Sequence, residues 1–182
     1  CNVALGDAAL HTNQTGAKNI AIGTNALYTN TVSDNTAVGH AALEANTTGA
    51  SNVAVGKTAL TSNTEGSSNV AIGVNALEAN TTGSSNVAVG LQSLDTNITG
   101  SSNTAIGHQA LLENTTGSCN VAIGREALDS NTTGSVNIAI GTDALQANST
   151  GSSNIAIGDD VLKANTVSNN VGIGQSALCA NT

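Results

Sequence analysis

The chain has 182 residues, 39% of them hydrophobic but only 1% aromatic and 9% charged, with no Pro, Met, Trp or Phe. That hydrophobic share is too regular for a disordered chain, and with Tyr28 as its one Phe, Trp or Tyr residue the chain lacks the large side chains that fill an ordinary globular core. Twelve acidic residues against four basic ones (Lys18, Lys57, Arg125, Lys163) give a net charge of -8, which repels phosphate backbones and argues against a nucleic-acid partner.

The dominant feature is self-similarity. The word NTTGSSNVAVG at 80–90 returns as NTTGSCNVAIG at 114–124, and the whole chain divides into eleven such units. They begin at Asn2, Asn19, Asn35, Asn52, Asn69, Asn86, Asn103, Asn120, Asn137, Asn154 and Asn170, in steps of seventeen apart from two of sixteen. Their consensus is N-x-A-[IV]-G-x-x-A-L-x-x-N-T-T-G-S-S, numbered below as columns one to seventeen. Columns one (Asn), five (Gly), nine (Leu) and twelve (Asn) are the same in every unit.

Each unit opens with a strand signal. β-branched residues at columns two and four surround an alanine at column three, so Val70 and Ile72 share one face and Ala71 takes the other. Val70, Ile72, Val87 and Val89, with Leu77 and Leu94 of column nine, are expected to form the core. The column-three alanines, among them Ala54, Ala71, Ala88, Ala105 and Ala122, form a stripe of small residues. Such a stripe suits close packing, either on the opposite wall of the same coil or on another chain. Glycine at column five (Gly23, Gly56, Gly73, Gly90) ends the strand. The segment that follows, up to the column-twelve Asn, is too short for a stable helix, which leaves a second short strand or an irregular bend. The Asn-Thr-Thr-Gly-Ser-Ser segment then closes the coil as a turn.

Two turns per unit, with the unit repeated eleven times, predict an all-β parallel β-solenoid or β-roll. At ~4.8 Å per rung the rod is roughly 50 Å long. The asparagines of column one (Asn19, Asn52, Asn69, Asn86) and column twelve (Asn30, Asn63, Asn80, Asn97) then stack into ladders, each amide bonding the rungs above and below. Both shortened steps fall in one corner, NTVSDN at 30–35 and NTVSNN at 165–170, which places that corner toward solvent. The array opens inside a unit, at Cys1, and stops at Asn181 and Thr182, which is expected of an excerpt from a longer fibre or of a subunit that stacks on itself.

The recurring NVAIG and SSNVAVG words, each followed by an Ala-Leu segment and an Asn/Gly turn, resemble the left-handed parallel β-roll head repeats of trimeric autotransporter adhesins and similar repeats of phage tail fibres. The resemblance spans the whole chain, although the coils here are a few residues longer, through the NTTGSS corner. It implies a homotrimer about a common axis whose surface binds host cells, matrix or other copies.

Chemistry is sparse. On rung spacing, Cys1 and Cys119 stand seven coils or roughly 33 Å apart, far beyond disulfide reach. Any bridge is therefore intermolecular, Cys1 to Cys179 across a head-to-tail junction being the candidate, against free thiols. His40 and His108 share column six four coils apart and cannot share a metal within one chain, and His11 is isolated. No calcium, Walker or dinucleotide motif occurs, so no cofactor, metal site or catalytic residue is expected. Nor is membrane insertion, since no uninterrupted apolar run is long enough to cross a bilayer as a helix. Seven N-x-[ST] sequons, at Asn13, Asn46, Asn80, Asn97, Asn114, Asn131 and Asn148, fall on the ladder asparagines and suit glycosylation poorly. The expected role is a non-enzymatic extracellular or cell-surface adhesive fibre segment. The alternatives are a head-to-tail filament subunit, a tail-fibre shaft on a virion and, less favoured, an ice-binding solenoid using the Thr columns.

Overall fold

The computed structural model describes residues 1–181; Thr182 lies outside the described residues. Eleven three-residue strands, one per coil, form a single parallel sheet in sequence order: β1 (Val3–Leu5), β2 (Ile20–Ile22), β3 (Thr36–Val38), β4 (Val53–Val55), β5 (Val70–Ile72), β6 (Val87–Val89), β7 (Thr104–Ile106), β8 (Val121–Ile123), β9 (Ile138–Ile140), β10 (Ile155–Ile157) and β11 (Val171–Ile173). Like columns sit on like columns: Val70 pairs with Val87, Ala71 with Ala88 and Ile72 with Val89. The fold is a parallel β-solenoid in which one sequence unit makes one coil.

Inter-coil hydrogen bonds run around the whole circumference. In the coil that starts at Asn69, the amides of Val70, Leu77, Ala79 and Thr81 donate to Asn86, Ser93, Asp95 and Ile98 of the next coil. Those of Gly73, Asn75 and Ser85 donate to Val55, Lys57 and Ser67 of the coil before. Each rung's polar backbone is thus satisfied by its neighbours, which a lone coil could not do.

No second strand forms after the glycine. The segment is a run of turns in which columns seven and nine take positive φ, as in Asn75 (58°) and Leu77 (57°). Asn25, Asn75, Asp143 and Asp160 stand at column seven for this reason, and Leu, which is not branched at Cβ, tolerates the left-handed region better than Val or Ile. Gly73 at column five has φ +140°, and a Cβ there would collide with the carbonyl of Gly90 one rung on. Any side chain at that column is both strained and obstructed.

The interior differs from the expectation in one respect. Leu77 and Leu94 are fully buried, but Val70, Ile72, Val87 and Val89 lie on the outer surface, half-buried or, for Ile72, 41% exposed. The inward strand residue is alanine: Ala54, Ala71, Ala88, Ala105 and Ala122 have no exposed surface. They share one buried cluster with a second alanine column (Ala59, Ala76, Ala110, Ala127) and the leucines. The coil is too narrow for anything larger. Where column eight carries Val161, column three of the next coil drops to Gly172, and a Cβ on Gly172 would lie 2.7 Å from Val161 Cγ1.

Candidate functional site

The polar interior belongs to the scaffold. Column-twelve asparagines form an amide ladder in which Asn63 Nδ2 donates to Asn46 Oδ1, Asn80 to Asn63 and Asn97 to Asn80, each at 2.8 Å. Column one behaves differently. Asn52, Asn69 and Asn86 each accept the backbone N–H of the next column-one asparagine on Oδ1, at 2.9 Å, and donate Nδ2 to a turn-glycine carbonyl of their own coil. The Gly66 carbonyl receives both Asn52 and Asn63. Asn19, at the first shortened corner, donates instead to the Val32 carbonyl. The sequon residues Asn46, Asn80, Asn97, Asn114, Asn131 and Asn148 are fully buried in these ladders.

The shortened corners interrupt the column-twelve ladder. Asn30 and Asn165 turn their amides to Val32 and Val167 of their own corners, and the Oδ1 atoms of Asn13 and Asn148 on the preceding rungs are buried without a partner. Length change is confined to a solvent-facing turn, yet its consequence reaches the interior.

Outside, columns two and four form the most extensive apolar feature. Two rows of Val, Ile and Leu, relieved by Thr36 and Thr104 in column two, run from β1 to β11. Sequence reasoning assigned these residues inward because they are large. The signal that could have placed them is the alanine column itself, since only one face of a narrow coil can be inside. Column seventeen borders this face before each strand and column six after; both are mostly polar, with Val136 in the first and Val74 and Leu91 in the second as exposed apolar exceptions.

The opposite side carries a zigzag of charged and amide side chains from columns seven and ten. Lys163 bonds Asp143 at 2.8 Å and Asp160 at 2.9 Å, which holds its ammonium above its ordinary range, and Gln146 donates to Glu126. Asp129 is half-buried beside Glu113, Glu126 and Asp143. Burial first and these carboxylates second raise its pKa to about 6, while His108 acts in the opposite sense. Burial and then Glu78 raise Asp95 likewise, against a Gln92 hydrogen bond. Tyr28 stacks on His11 at 4.9 Å. His40 and His108 stay far apart on the rim.

Among the described residues no group of three or more His, Cys, Asp or Glu side chains is placed to hold a metal ion, and none forms a helix long and apolar enough to cross a membrane. The three cysteines are free, Cys1 in the first coil, Cys119 on the rim before β8, and Cys179 in the last coil. The Thr of column thirteen are engaged in the rungs, Thr47 Oγ1 donating to the Thr64 carbonyl and Thr115 to that of Thr132, while Thr82, Thr99 and Thr116 of column fourteen face solvent. No protein-family model matches the chain, and no curated protein or solved structure matches it. Its class is therefore defined by the fold alone: a parallel β-solenoid repeat protein with one aliphatic outer face.

Proposed function

We propose that the chain is a rigid segment of an extracellular or cell-surface adhesive fibre, without catalytic activity or cofactor. In this reading three copies pack their aliphatic faces about a common axis, as left-handed coils, and present the remaining sides to host surface, matrix or other cells. The observation that carries the reading is the outward Val/Ile strip. At ~4.8 Å per rung and about 3.3 Å per strand residue it is roughly 50 Å long and about 7 Å between its two rows. Contiguous apolar patches beyond a few hundred Å² mark interaction surfaces on soluble proteins. A strip of constant width that follows the solenoid axis suits another straight rod of the same pitch better than a compact ligand. The number three comes from the resemblance of the NVAIG words to trimeric adhesin heads.

Light scattering on the purified chain tests the association. Three chain masses at micromolar concentration support the reading, and a single chain mass overturns it. Binding of the assembled rod to immobilised matrix proteins or host cells, with an unrelated solenoid as control, tests adhesion; retention no better than the control overturns that part.

A further inference from the structure

No packing role fixes the residues of column six, which change from coil to coil, yet their order over the middle of the rod is not that of an ordinary solvated edge. From the third coil to the eighth the column reads His40, Lys57, Val74, Leu91, His108 and Arg125, all exposed, so half of the Lys and Arg of an acidic chain stand in one file. Backbone bonds hold this file in register. The amides of Asn75, Gln92, Gln109 and Glu126 donate to the carbonyls of Lys57, Val74, Leu91 and His108 on the coil before, at 3.0 to 3.1 Å. Successive side chains are therefore ~4.8 Å apart along the rod. Val74 and Leu91 are 44% and 47% exposed, and beside Ile72 and Val89 of column four they widen the aliphatic face from two rows to three at these two coils only.

The chain does not answer these side chains itself. Among the described residues the carboxylates pair with Lys18, Arg125 and Lys163, and none with Lys57, His40 or His108. Columns two to seven of the third to seventh coils contain no Asp or Glu, the carboxylates of those coils beginning at column ten. A partner that covers Val74 and Leu91 must bring apolar surface, and one that answers Lys57 must bring an anion. A uniform polyanion offers nothing to the two aliphatic side chains and is repelled by a chain of net charge -8. An extended peptide offers both. At about 3.3 Å per residue, its positions i, i+2 and i+4 project from one side and span ~13 Å, against ~14 Å for the three rungs from Lys57 to His108. A carboxylate at i then meets the Lys57 ammonium, an aliphatic side chain at i+2 settles between Val74 and Leu91, and a carboxylate at i+4 accepts from a His108 ring N–H. Arg125, already engaged by Glu126 and Asp143, lies one rung beyond.

We infer that column six, from Lys57 to His108, docks an extended segment of another protein with the pattern acid-x-aliphatic-x-acid. The inference goes beyond the fibre reading and does not require copies of the chain to associate. Isotope-labelled chain titrated with the blocked peptide Glu-Thr-Leu-Thr-Glu is expected to show saturable amide shifts confined to columns four to seven of the third to seventh coils. The peptides Lys-Thr-Leu-Thr-Lys and Glu-Thr-Ser-Thr-Glu, which need no change in the protein, are each expected to bind about tenfold more weakly or not at all. Lys57→Glu is expected to weaken the first peptide about threefold to tenfold at low salt, with the difference shrinking at high salt. Val74→Ser with Leu91→Ser is expected to weaken it about tenfold or more. Both variants change outward side chains and are expected to keep the circular dichroism and the mass of the parent. Equal binding of the three peptides, shifts centred elsewhere on the rod, or no saturable shift at millimolar peptide overturns the inference. So does a fall in mass of an oligomeric parent on Val74→Ser with Leu91→Ser, which assigns the patch to contact between copies. A monomeric parent that binds the first peptide at column six overturns the packing of copies and leaves this inference standing.

Discussion

Column three shows what one methyl group decides. Ala71 and its equivalents fill the space between the strand and the opposite wall, and the Val161–Gly172 exchange marks how little room is left. Gly172→Ala alone is expected to destabilise the last coils by about 1–3 kcal/mol through overpacking. Adding Val161→Ala should recover most of that loss, because it restores the alanine pair found elsewhere. Thermal unfolding of the two single variants and the double variant measures the coupling, and additive losses would contradict a shared space. Asp129 makes a second residue-scale case. Its carboxyl titrates near pH 6 in the folded chain against an ordinary value of 3.8. Between these values the folded state binds the extra proton, so the group's contribution to stability falls as pH rises through this window and stays unfavourable above it. Half-exposure reduces the cost below what the shift alone implies. Asp129→Asn is expected to raise the melting temperature at pH 7 and to flatten its pH dependence between about 4 and 6; an unchanged profile would show that the carboxylate cluster is fully solvated.

Within a coil, the strand, the turn run and the corner answer to different constraints. The strand is set by its neighbours' hydrogen bonds, and its three residues would not persist alone. The turn run depends on left-handed positions that asparagine and aspartate accept at little cost and Leu at more, so the invariant leucine is kept for its burial despite its backbone. The corner depends on its glycine carbonyl, which gathers the amides of columns one and twelve. Replacing Val32 by Thr-Gly would restore a full-length corner after Asn30. The Asn30 amide is then expected to reach Asn13 Oδ1 and raise stability by about 1–3 kcal/mol, the usual cost of a buried unpaired polar atom. Hydrogen exchange of the second coil should slow along with it, and an insertion that leaves both unchanged would mean that water already serves Asn13.

For the whole molecule, stability is close to a sum over nearest-neighbour rungs, since every coil contacts only the coils beside it. The aliphatic face runs over all eleven rungs. Val70→Glu with Val87→Glu, both outward, is expected to leave the circular dichroism of the parent nearly unchanged while reducing its mass to that of one chain. Unfolding of this variant would return these side chains to the core. Much of the architecture was legible beforehand. The seventeen-letter repeat, the strand words, the buried leucines of column nine and the asparagine columns are periodic, and periodicity survives without coordinates. The inward or outward sense of Val70, Ile72, Val87 and Val89 was not legible. Alternation says which residues share a face and is silent on which face is enclosed, and side-chain size favoured the wrong one. Only the closed coil, whose walls approach to alanine contact and whose remaining interior is taken by Leu and paired Asn amides, leaves the larger β-branched residues no place but the outside.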